Sequence, residues 1–81
     1  MLSKIEKEIL TKLSFNTTPT YKRLKISKEE YLITLKKMES DDEYINVQWI
    51  QDGIFKGEPG KIAITDKGER ILKESTQGGV L

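Results

Sequence analysis

The sequence predicts an α+β domain: three helices, then a two-stranded hairpin, then a closing helix. Three observations carry that prediction. Apolar residues recur at helical spacing from Leu2 to Leu13. Two helix-start signals, Thr18-Pro19 and Ser27-Lys28-Glu29-Glu30, follow each other closely. Apolar residues then alternate in two runs, and the second run leads directly into another helix start.

Leu2, Ile5, Ile9 and Leu13 share one helical face with Leu10 beside them, while Lys4, Lys7, Glu8, Thr11 and Lys12 take the other. The first helix is therefore expected over residues 2–14. Asn16-Thr17-Thr18-Pro19 ends it. Thr18 is expected to cap a short second helix, with Pro19 in the first turn, where a missing N–H needs no partner. That helix runs to about Lys25 and buries Tyr21 and Leu24. Ser27 and Glu30 have capping-box spacing, and Ile26 stands at the staple position. A third helix then extends to Glu39 or Ser40 with Tyr31, Leu32, Leu35 and Met38 inward.

Ser40-Asp41-Asp42-Glu43 is a polar corner. Ile45, Val47 and Trp49 alternate with Asn46 and Gln48, as in a strand with one buried face. Asp52-Gly53 and Glu58-Pro59-Gly60 have turn chemistry, which places the returning strand at Lys61 to Thr65. Thr65 or Asp66 caps the last helix, expected over Asp66 to Glu74, and Asp66 and Glu69 have capping-box spacing. Ile71 and Leu72 turn that helix back onto the strand. Residues 1–75 form the domain, and 76–81 are expected to be a flexible tail.

With 81 residues the chain is one domain. It has no Cys and no His, which excludes thiol catalysis, a Cys/His zinc site and a His-based triad. The lack of disulfides fits a reducing cytoplasm. No apolar run approaches the roughly 20 residues that span a bilayer, and the N-terminus is amphipathic rather than a signal peptide. A cytoplasmic protein without membrane attachment is expected. Asp41-Asp42-Glu43 lacks the spacing of a calcium loop, and Gly57-Glu58-Pro59-Gly60 lacks the Lys-Ser/Thr of a phosphate loop. No enzyme activity, cofactor or metal is expected.

Net charge is only +1, yet it is unevenly spread. Residues 1–38 carry nine Lys/Arg against four Glu, and residues 39–81 carry five against nine Asp/Glu. The basic half is the helical half. Such asymmetry marks either a nucleic-acid-facing side or a solvated lysine-rich surface.

Helices two and three are separated by about two residues, and helix three leads into Tyr44-Ile45. Ile64-Thr65-Asp66-Lys67-Gly68-Glu69-Arg70-Ile71-Leu72 runs from strand to closing helix. Over residues 2–75 this order resembles a winged helix-turn-helix domain. The strand-Ile-Thr-x-x-Gly ending is similar to that of the small YjcQ-like proteins of bacterial prophages and phages. One departure is Asp42-Glu43, where a Gly often follows the third helix.

The resemblance implies that helix three enters the major groove of double-stranded DNA while the wing touches the backbone. The expected contacts are Lys22, Arg23, Lys25 and Lys28 with phosphates. Ile33 would meet a thymine methyl, and Lys36 and Lys37 a phosphate or guanine. Lys56 and Lys61 are the wing's basic residues, offset by Asp52 and Glu58. Glu29 and Glu30 oppose phosphates but suit a helix N-terminus. Ile54 and Phe55 either fold back on Trp49 or form an apolar tip for a protein partner or a second subunit.

The expected function is sequence-specific or weakly specific DNA binding by a phage-derived transcriptional regulator, with a homodimer on a two-fold site. The alternative is a non-enzymatic adaptor that uses the same fold to capture a host protein partner.

Overall fold

Four helices and one antiparallel hairpin make up an α+β fold, and each helix starts at a Ser or Thr hydroxyl. The structure, a computed structural model, describes the backbone of residues 2–78 and the side chains of residues 2–75. Helix α1 (Lys4–Ser14) is capped by Ser3 and begins two residues later than the apolar stripe suggests. Ser3 Oγ accepts from the Glu6 N–H at 3.2 Å, and Glu6 Oε1 accepts from the Ser3 N–H at 2.9 Å. This reciprocal box outweighs the apolar signal of Leu2 in setting the start. At the other end Asn16 is left-handed, with φ 58°. The Thr17 N–H bonds to the Lys12 carbonyl at 2.8 Å, and the Asn16 N–H to that of Leu13 at 3.1 Å. The two bonds close a Schellman turn.

Helix α2 (Tyr21–Leu24) is capped by Thr20, not Thr18. Thr20 is extended, and its Oγ1 accepts from the Arg23 N–H at 3.2 Å. Pro19 therefore precedes the helix instead of opening it. Its ring is fully buried, and its carbonyl accepts from the Tyr31 hydroxyl at 2.6 Å. That tertiary bond holds the carbonyl out of the helix. Lys25 ends α2 in a left-handed conformation, with the Ile26 N–H bonded to the Tyr21 carbonyl at 3.1 Å. Helix α3 (Lys28–Ser40) starts from Ser27, whose Oγ accepts from the Glu30 N–H at 3.1 Å. Glu43, at the corner beyond α3, is also left-handed, at φ 59°. A glycine would take that conformation without the Cβ penalty.

Strands β1 (Ile45–Trp49) and β2 (Pro59–Ile64) pair antiparallel, Ile45 opposite Ile64 and Val47 opposite Ile62. β2 starts ahead of the expected Lys61, so Glu58-Pro59-Gly60 is not the turn. The reversal lies before it, at Gly53 and Gly57, with φ 87° and 86°. Gly57 donates to the Ile50 carbonyl at 2.8 Å, and Ile50 donates to that of Glu58 at 2.9 Å. Pro59 is tolerated because the register shifts between Val47 and Trp49, opposite it.

Helix α4 (Asp66–Gly78) follows at once. Its cap is Thr65, whose Oγ1 accepts from the Gly68 N–H at 3.0 Å. Asp66 is already helical, so the Asp66–Glu69 spacing forms no capping box. A Cβ on Gly68 would stand 2.2 Å from the Tyr44 carbonyl oxygen and 2.9 Å from Ile64 Cγ1. The Thr-x-x-Gly sequence is thus a hydroxyl cap followed by the one residue small enough for the helix to meet the strand ends. α4 runs to Gly78, beyond the expected Glu74 and into the expected tail. Residues 79–81 lie outside the described residues.

Ile9 and Leu10, Leu24, Tyr31, Leu35 and Met38, and Ile45 and Val47 form the buried core. Every element except β2 and α4 contributes to it. Ile71 and Leu72 of α4 pack against its margin. β1 lies against α3, whereas β2 and α4 lie against α1. No helix among the described residues is long and apolar enough to cross a membrane.

Candidate nucleic-acid interface

α2 is a single turn that buries only Leu24. Lys22 and Arg23 therefore project outward, and the left-handed bend sets Lys25 beside them at the entry to α3. All three are exposed. None has an ion-pair partner among the described residues.

The cations of α3 stand differently. On one flank, Lys28 Nζ lies 3.3 Å from Glu58 Oε1 of the hairpin. Two turns further on, Lys36 Nζ sits 5.7 Å over the centre of the Trp49 ring. In the last turn, Glu39 accepts from the Val47 N–H at 2.7 Å and from Trp49 Nε1 at 2.9 Å. Positions 28, 32, 36 and 39 share a helical stripe, and it is this stripe that seats the hairpin.

On the α1 side, Lys37 Nζ bridges Glu6 Oε2 at 3.1 Å and Asp42 Oδ2 at 2.9 Å. Glu6 is 7% exposed. Burial pushes its carboxyl pKa up, but the Ser3 N–H and the Lys37 ammonium together hold it below the usual range. Asp42 first, and then Glu6, raise the pKa of Lys37 above that of an ordinary lysine. Lys36 and Lys37 are adjacent in sequence but have different partners.

Lys28, Lys36 and Lys37 remain exposed beside these partners, and the other exposed residues of α3 are Glu29, Glu30, Ser40 and Ile33, the last 61% exposed. Lys56 is exposed in the hairpin loop. Lys61 is exposed on β2 and lines a shallow groove with Leu13, Asn16 and Thr18. It belongs to the α1 side and is not grouped with the lysines of α3. Ile54 and Phe55 are 91% and 57% exposed, so they do not fold back on Trp49. The Trp49 ring face and N–H are occupied by Lys36 and Glu39 instead.

Glu6, Glu39 and Glu58 organise this surface, and the sequence assigns none of them its partner there. Ser3 and Glu6 do have capping-box spacing, which is a usable signal. Glu39 and Glu58 have none, because their partners are set by the packing of the hairpin on α3. Among the described residues no group of carboxylates is arranged to hold a metal ion. The chain matches no protein-family model, no curated protein and no solved structure.

Proposed function

We propose that this chain is a winged-helix protein that binds double-stranded DNA with weak sequence preference and serves in transcriptional control. The observation that carries the reading is the set of exposed cations Lys22, Arg23 and Lys25 at the bend into α3, without an ion-pair partner among the described residues. Phosphate contacts are expected at that bend when the following helix enters the major groove. Lys28 is a fourth contact in reserve. Its bond to Glu58 is half exposed, and such pairs are worth only about 0–1 kcal/mol, so a phosphate can replace the carboxylate. Base reading is weak because Glu29 and Glu30 occupy the outward start of α3. A carboxylate there accepts only from a base amino group such as cytosine N4.

A salt titration of binding to random duplex DNA tests this. Three contacts give a log–log slope of about −2.7, and a fourth from Lys28 gives about −3.6, at roughly 0.9 per phosphate. Reversing charge with Arg23→Glu and Lys25→Glu should weaken binding on all sequences and flatten the slope. No binding by the wild type at low salt sinks the proposal.

A second reading, an adaptor for a protein partner, is favoured by one observation: the exposure of Ile54 and Phe55 at the hairpin tip. Phe55→Ser separates the two. It leaves DNA affinity nearly unchanged on the first reading. On the second it removes an anchor worth about 2 kcal/mol or more, and capture of the partner is lost.

A further inference from the structure

A groove between the end of α1 and α4 shares no residue with the α2–α3 surface. Leu72, half buried, lines it, and Phe15, 75% exposed, stands beside it. Asp66, Glu69, Arg70 and Lys73 complete its α4 wall. At 100° per residue these four fall within about 100° of arc, so they form one stripe along the helix. All four are exposed. Asp66 and Arg70, and likewise Glu69 and Lys73, have the spacing and acid-first order that favour pairing along a helix. None of the four is in an ion pair among the described residues.

The stripe reads acid, acid, base, base. Reversed, it is its own complement. A two-fold axis through the Glu69–Arg70 peptide sets Asp66 of one copy opposite Lys73 of another, and Glu69 opposite Arg70. Both pairings are symmetric about the same point. A parallel arrangement would oppose like charges instead, which is repulsive. We propose that this face is a self-association surface, on which α4 packs antiparallel against α4 of a second copy and covers Phe15. Such an isologous contact is the commonest way for one chain to pair with itself. The inference uses no residue of the DNA-binding reading and stands or falls without it.

The test is sedimentation equilibrium without DNA, at low salt, over a concentration series. Two variants divide the stripe: Asp66→Lys with Glu69→Lys, which is wholly basic, and Arg70→Glu with Lys73→Glu, which is wholly acidic. Wild type is expected to dimerise, and each variant alone to dimerise at least about tenfold more weakly. Mixing the two variants should restore dimers, because each supplies what the other lost. Phe15→Ser, outside α4, should weaken the dimer with the helical circular dichroism unchanged. A wild type that stays monomeric throughout overturns the proposal and leaves the groove to a different occupant. So does a mixture no better than its parts when both variants keep their helical signal, or a Phe15→Ser variant that keeps its fold and dimerises like wild type.

Discussion

Lys25 carries a left-handed backbone at φ 60°, at the bend between α2 and α3. A side chain in that region costs about 1 kcal/mol that glycine avoids. Its ammonium is also one of the three exposed cations proposed to meet phosphate. The two roles oppose each other. Lys25→Gly should raise stability in urea by about 0.5–1 kcal/mol while reducing the salt slope of DNA binding by about 0.9. A loss of stability would contradict the strain argument, and an unchanged slope would remove Lys25 from the contact set. Asn16 and Glu43 share the conformation. Asn adopts it readily, so Asn16 was legible as the end of a helix. Nothing local marks Lys25 or Glu43. The corner at Glu43 is left-handed without a glycine.

At the level of elements, the apolar repeat together with the helix-start and turn signals was enough to find the four helices and both strands described, because burial on one face imposes the period and a hydroxyl or a turn residue marks the breaks. Element ends were less legible. They depend on which carbonyl or hydroxyl a distant residue claims, as when Tyr31 takes the Pro19 carbonyl and the helix start passes to Thr20. The clamp from α3 to β1 is of the same kind. Glu39 accepts two N–H donors that lie eight and ten positions away. Hydrogen bonds to a charged acceptor contribute about 1.5–3 kcal/mol. Glu39→Ala should therefore cost about 2 kcal/mol and shift Trp49 fluorescence to the red as the indole N–H turns to water. An unchanged emission maximum with unchanged stability would show that the clamp contributes nothing.

Over the whole molecule, charges that are scattered along the sequence become bonds between segments. Glu6 of α1, Lys37 of α3 and Asp42 of the corner tie three separate segments. The folded pKa of Glu6 lies below its unfolded value, near 4.5. Its stabilisation is therefore present above that pH and is lost as pH falls through the lower folded value. Lys37 has the opposite sign. Its folded pKa is raised, so its contribution is present below the unfolded lysine value and is lost as pH rises through the folded one. Glu6→Gln should lower the melting temperature at neutral pH and flatten its fall below pH 4.5. Melting curves of wild type and variant that stay parallel through the acid range would count against this.

The candidate interface was only half legible for a related reason. The positions of the lysines are written in the sequence, but which of them meet a carboxylate depends on how the elements pack.

The same Glu39 clamp also makes the hairpin one-sided. The Val47 N–H points away from β2, and Glu39 already holds it. β2 is the last strand on its side of a two-stranded sheet, and by the alternation of the ladder Ile62 and Ile64 turn their backbone groups outward there. A further strand therefore cannot pair at Val47, and on the other side it would have to enter the groove that β2 lines with Leu13, Asn16 and Thr18. Growth of the sheet into a fibril would have to begin in that groove.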